Sequence, residues 1–95
     1  MPNINIPFNF NNQIKENIIT LIFVVKGNKE HDYNIQCSPN DKISDVINKF
    51  KITANKTSEM KFIFNANELN PNLTVEEAKL ENQSRILVIE PSIVG

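Results

Sequence analysis

Residues 18–50 read Ile18-Ile19-Thr20-Leu21-Ile22-Phe23-Val24-Val25-Lys26-Gly27-Asn28-Lys29-Glu30-His31-Asp32-Tyr33-Asn34-Ile35-Gln36-Cys37-Ser38-Pro39-Asn40-Asp41-Lys42-Ile43-Ser44-Asp45-Val46-Ile47-Asn48-Lys49-Phe50. The hydrophobic period changes along this run, and the change decides the fold. Leu21, Phe23 and Val25 recur every second residue, which places them on one face of a strand. Gly27-Asn28-Lys29-Glu30 supplies a turn. Tyr33, Ile35 and Cys37 then share one face of a second strand, and the short link makes the pair an antiparallel hairpin. Ser38-Pro39-Asn40-Asp41 stops that strand. Ile43, Val46, Ile47 and Phe50 follow at i, i+3, i+4 and i+7, one stripe of an amphipathic helix. Asp41 is placed to cap it, because its carboxylate can accept the free amides of the first turn. Thr53-Ala54-Asn55 marks the end.

Working outward, Lys61-Phe62-Ile63-Phe64 forms a short strand, Asn65-Ala66-Asn67 a turn, and Glu68-Leu69 a very short strand. Thr74-Val75-Glu76-Glu77 fits the T-x-x-E capping box and predicts a brief helix with Val75, Ala78 and Leu80 on its apolar side. Ile86-Leu87-Val88-Ile89 is a last strand, ended by Pro91. The order is strand, strand, helix, strand, short helix, strand. The class is α+β: one helix on one face of a small mixed sheet of four to five strands. The strands at 19–25 and 86–89 are its natural centre, parallel to each other. Upstream, residues 1–17 are an Asn-rich extension in which Ile4, Ile6, Phe8 and Phe10 alternate with polar residues and Pro7. It is a disordered tail or an extended arm. The chain therefore divides into an extension (1–17), a domain (18–91) and a tail (92–95).

Composition excludes several classes of function. The chain has 95 residues, a net charge of -1, two glycines, one cysteine and one histidine. No basic excess is present for phosphate contacts, which argues against nucleic acid as a partner. A lone cysteine excludes an internal disulfide, a Cys-rich zinc site and a CxxC motif. The two glycines, Gly27 and Gly95, make no phosphate loop. The apolar run 18–25 is too short to span a membrane, and the N-terminus lacks the pattern of a signal peptide. The expected compartment is the cytoplasm or nucleus. His31, between Glu30 and Asp32, sits in or near the hairpin turn and reads as part of an exposed turn cluster. Cys37 falls on the inward face of the second strand, where it packs rather than reacts. The expectation is a non-enzymatic protein with no metal, cofactor or small-molecule substrate.

The set of residues from Leu21 to Glu90 resembles the ubiquitin family. Two stretches carry the resemblance. One runs from Leu21-Ile22-Phe23-Val24-Val25-Lys26 through Pro39-Asn40-Asp41-Lys42-Ile43 to Val46 and Phe50. The other runs from Lys61-Phe62-Ile63-Phe64-Asn65-Ala66-Asn67-Glu68-Leu69 through Leu73-Thr74-Val75 to Ile86-Leu87-Val88-Ile89. The fold this implies is the β-grasp, in agreement with the element order. The resemblance also implies binding through an apolar patch on the outer sheet face, at Ile63, Leu87 and Ile89. Leu87 stands where ubiquitin has a histidine, and Asn28 replaces the loop leucine that completes the patch. Ubiquitin's two best-known linkage lysines fall at Asn67 and Asn82, and Lys26 matches a third lysine. The tail Pro91-Ser92-Ile93-Val94-Gly95 lacks Gly-Gly. Its single glycine after valine is similar to the mature end of the ubiquitin-fold modifier family, which makes Gly95 a candidate conjugation site.

Strand parity makes an independent point. If Leu21, Phe23, Val25, Ile86 and Val88 face the helix, then Ile22, Val24, Leu87 and Ile89 face outward, and Ile63 joins them from the third strand. Lys61 is grouped with them. A monomer seldom leaves such a patch uncovered. Either the arm at 1–17 folds over it, or a partner binds there, and the partner is the favoured reading. Three functions follow: an interaction domain bound by a protein receptor, a modifier conjugated through Gly95, or a structural subunit with this face buried in a large assembly.

Overall fold

The alternating stretches pair as expected. In the computed structural model, which describes residues 18–26 and 31–91, β1 spans Ile19–Val25 and β2 spans His31–Cys37. They are antiparallel, with Ile19 opposite Cys37 and Val25 opposite His31. Leu21, Phe23, Val25, Ile35 and Cys37 are all buried on one face. The turn at 27–30, the extension at 1–17 and the tail at 92–95 lie outside the described residues.

Helix α1 spans Ile43–Ala54 and lays Ile43, Val46 and Phe50 onto that face. Asn55 takes the left-handed conformation, φ 57°. Its N–H donates to Ile52 O at 3.2 Å, and the Lys56 N–H donates to Lys51 O at 2.9 Å, which satisfies the last carbonyls. The other end departs from expectation. Lys42, not Asp41, is the cap residue, and no side chain caps the first turn. The amides of Ile43 and Ser44 donate instead to the carbonyls of Leu73 and Pro71, at 2.8 and 3.1 Å. Val75 and Glu76 amides donate back to Asp41 and Pro39 carbonyls at 2.8 and 2.9 Å. A loop carbonyl satisfies an orphan helix donor as well as a carboxylate does. Asp41 is thereby released to accept the Ser38 N–H at 2.9 Å and fix the preceding turn.

Strand β3 spans Lys61–Phe64 and β4 spans Asn67–Glu68. Between them Asn65 and Ala66 both have positive φ, 55° and 68°, as a tight hairpin turn matched to strand twist requires. The expected strand at 68–69 thus starts one residue earlier. Thr74 and Glu77 form the reciprocal capping box: the Thr74 N–H donates to Glu77 Oε1 at 2.9 Å and the Glu77 N–H to Thr74 Oγ1 at 3.0 Å. The brief helix expected after it is only a hydrogen-bonded turn over 75–79. Lys79 turns left-handed, φ 65°, and buries Leu80 in the core before the next strand.

Strand β5 spans Arg85–Ile89. The five strands form one sheet in the order β2-β1-β5-β3-β4, with β1 and β5 parallel at its centre and the other pairs antiparallel. The helix covers one face. Between helix and sheet, Phe50 stacks on Phe23 (centroids 4.7 Å apart) and meets the edges of Tyr33 and Phe62 at 5.5 and 5.8 Å. The Lys56 ammonium holds the Glu90 carboxylate at 2.7 Å where the last strand ends. This is the α+β, β-grasp architecture.

Candidate functional site on the outer sheet face

Residues paired across neighbouring strands share a face, so the registers lay out the side of the sheet opposite α1. One row runs Asp32, Val24, Leu87, Ile63, Glu68. A second holds Asn34, Ile22 and Arg85. A third holds Ile89 and Lys61. The residues named from parity are therefore brought together. Their exposure is uneven. Ile89 is 46% exposed, whereas Ile22, Ile63 and Leu87 are half-buried and Lys61 is exposed. Val24 corrects the expectation of an open contact residue: it faces outward yet is only 5% exposed, and it stands apart from the main core cluster.

An ion pair spans the strand beside it. Arg85 Nη2 approaches Asp32 Oδ2 at 3.4 Å. Arg85 is on β5 and Asp32 on β2, the two strands that flank β1. Both side chains point outward, so their contact crosses over β1 between Ile22 and Val24. Leu87 closes in from the other side of Val24. The remaining hollow is a shallow concavity of about 420 Å³, with Val24, Ile63 and Leu87 as its floor and Lys26, Arg85, Asn65 and Ala66 around it. Nothing in the local pattern marks Arg85 and Asp32 as site residues. Their outward parity was visible, but their meeting across a strand was not.

Residues 19–89 match the family model described as ubiquitin-2 like, Rad60 SUMO-like. The chain belongs to this Rad60 SUMO-like family. No curated protein matches it significantly. Among solved structures, one described as "Molecular mimicry of SUMO promotes DNA repair" superimposes with a TM-score of 0.69 at 19% identity, covering 81% of this chain and 96% of that one. The ubiquitin of Caldiarchaeum subterraneum gives 0.70 at 12% identity, covering 83% and 100%. A de novo design based on ubiquitin gives 0.68 at 17%, covering 81% and 93%. At these identities the likeness is one of fold.

Other positions singled out by sequence are placed as follows in this SUMO-like domain. Asn82 is built into the fold, its Oδ1 accepting the Thr20 N–H at 2.8 Å. Asn67 is exposed at the β3–β4 turn. His31 is the first residue of β2 and is exposed. Burial pushes the Cys37 thiol pKa up, Asp41 adds to the rise, and Lys49 opposes it. That environment suits a packed thiol, not a nucleophile. Among the described residues, no three His, Cys, Asp or Glu side chains are grouped to hold a metal, and no helix is long and apolar enough to cross a membrane. Gly95 and Asn28 lie outside the described residues.

Proposed function

We propose that residues 18–91 act as a non-enzymatic interaction domain that takes a protein partner on the outer sheet face. The contact residues are Ile22, Ile63, Leu87, Ile89 and Lys61, with Val24 beneath them. The observation that carries this reading is the apolar floor of Val24, Ile63 and Leu87, set in a concavity on a face that no described element covers. An apolar surface of this kind on a small domain is a docking feature more often than an accident. Conjugation through Gly95 rests on the tail sequence alone and is the lesser reading.

The test is the double variant Ile63→Asp, Leu87→Asp in the full chain. Both positions are half-buried, and the face away from the helix can hydrate the new carboxylates. The circular dichroism spectrum and cooperative melt should survive while partners recovered from source-cell extract are lost. If the variant unfolds, the outer face is part of the core and the docking reading fails.

A further inference from the structure

On the docking face just proposed, the charges around the floor specify the partner. The charged side chains lining the concavity are Lys26 and Arg85, both cationic. Val24 pairs with Leu87; Lys26 lies two residues beyond Val24, and Arg85 two residues before Leu87. The two strands are parallel, so the cations stand at opposite ends of the apolar floor, about 13 Å apart along the strands. An extended peptide lying on a sheet face would leave its own backbone groups unpaired. A helix satisfies them internally. Its carboxylates at i and i+7 lie about 10.5 Å apart on one side, and flexible side chains span the difference. Apolar residues at i+3 and i+4 then fall between them, over Ile63 and Leu87.

Arg85 already has a carboxylate. Its contact with Asp32 is loose at 3.4 Å, and the two side chains are 56% and 45% exposed. Charge-assisted hydrogen bonds of full strength are shorter, about 2.7–2.9 Å, and exposed pairs are weak. We propose that the outer face binds an acidic amphipathic helix, and that a carboxylate of that helix takes Arg85 from Asp32. One exposed ion pair replaces another. Asp32 is then an internal competitor for the site.

The test is a titration of the isotope-labelled full chain, followed by NMR, with an alanine-based helical peptide. The peptide carries Glu at i and i+7 and Leu at i+3 and i+4; its control carries Gln in place of both Glu. Shifts are expected at Val24, Lys26, Ile63, Arg85 and Leu87, and the Gln peptide should bind more weakly. Asp32→Asn should bind the Glu peptide about 1.5- to 5-fold tighter, the span set by the usual strength of an exposed pair. Arg85→Gln should weaken it. Equal binding of the two peptides, or no gain in Asp32→Asn, overturns the inference. If that happens while Ile63→Asp, Leu87→Asp still abolishes binding of the Gln peptide, the docking face stands and only the acidic helix is lost. Shifts confined to another surface overturn both.

Discussion

Replacing Phe50 by alanine should bring the domain to the edge of unfolding. The ring is 0% exposed. It stacks on Phe23 at 4.7 Å and takes the edges of Tyr33 and Phe62 at 5.5 and 5.8 Å. Deleting a buried Phe side chain costs about 3–5 kcal/mol, combining the lost transfer free energy with the cavity left behind. The three aromatic neighbours stand on fixed strands, and two of them, Phe23 and Phe62, already meet at 5.9 Å, which leaves little room for collapse, so the upper half of that range applies. A folded unit of this size has roughly 4–11 kcal/mol of total stability. At about 4–8 °C per kcal/mol for so short a chain, the melting temperature should fall by at least about 15 °C. The assay is thermal and urea denaturation followed by circular dichroism. Ile52→Ala is the control on the same helix. Ile52 is 80% exposed, and its loss should cost less than about 0.5 kcal/mol. A Phe50→Ala melt within a few degrees of wild type, or equal losses for the two variants, would refute the aromatic cluster as the centre of the core.

Ala66→Gly should stabilise the domain by about 0.5–1 kcal/mol, because Ala66 is held at φ 68°, where a Cβ is penalised by more than glycine loses in entropy; a raised urea midpoint at constant slope is the readout. The Cys37 thiol, whose pKa is raised chiefly by burial, should resist thiol reagents in the folded state. Its proton is held more tightly when folded than when unfolded, so this contribution to stability is complete below the unfolded pKa of about 8.5 and is lost as pH rises through the higher folded value. Cys37→Ala should flatten that alkaline decline in a urea series. Finally, the tagged chain and its Gly95→Ala variant, expressed in the source cells, should each give one band of unmodified size on a denaturing gel; a ladder lost in the variant would make conjugation the function instead.

What was legible in the sequence was whatever depends on neighbours along the chain. Alternation at Leu21, Phe23 and Val25 and at Tyr33, Ile35 and Cys37 is a local signal, and the stripe Ile43, Val46, Phe50 is another. Both became buried faces. The central position of the first and last strands followed from their continuous apolar character. The failures share one cause. Asp41 looked like a cap because nothing nearby suggested that Leu73 and Pro71 would deliver their carbonyls to the helix. Thr74 and Glu77 do make the capping box, but the box marks a start and says nothing about length, and Leu80 is needed in the core too soon for a helix. Parity puts Val24 on the outer face but does not reveal that it is only 5% exposed there, nor that Arg85 and Asp32, 53 residues apart in the chain, meet across its strand. Parity gives the direction of a side chain; the groups above it come from elsewhere.

The exchange of backbone bonds between 39–44 and 71–76 has a consequence for the order of events in folding. A helix whose first amides are satisfied by residues some thirty positions downstream is not complete until that loop arrives. Its first turn is therefore a non-local structure, and closing it carries the entropy of the intervening chain. The centre of α1, anchored by Phe50 on the hairpin, can form early, while its N-terminal turn waits for the segment at Pro71–Glu76. In native-state hydrogen exchange, the amides of Ile43 and Ser44 and those of Val75 and Glu76 then belong to one cooperative unit, opening and closing together as a seam between the two halves of the chain.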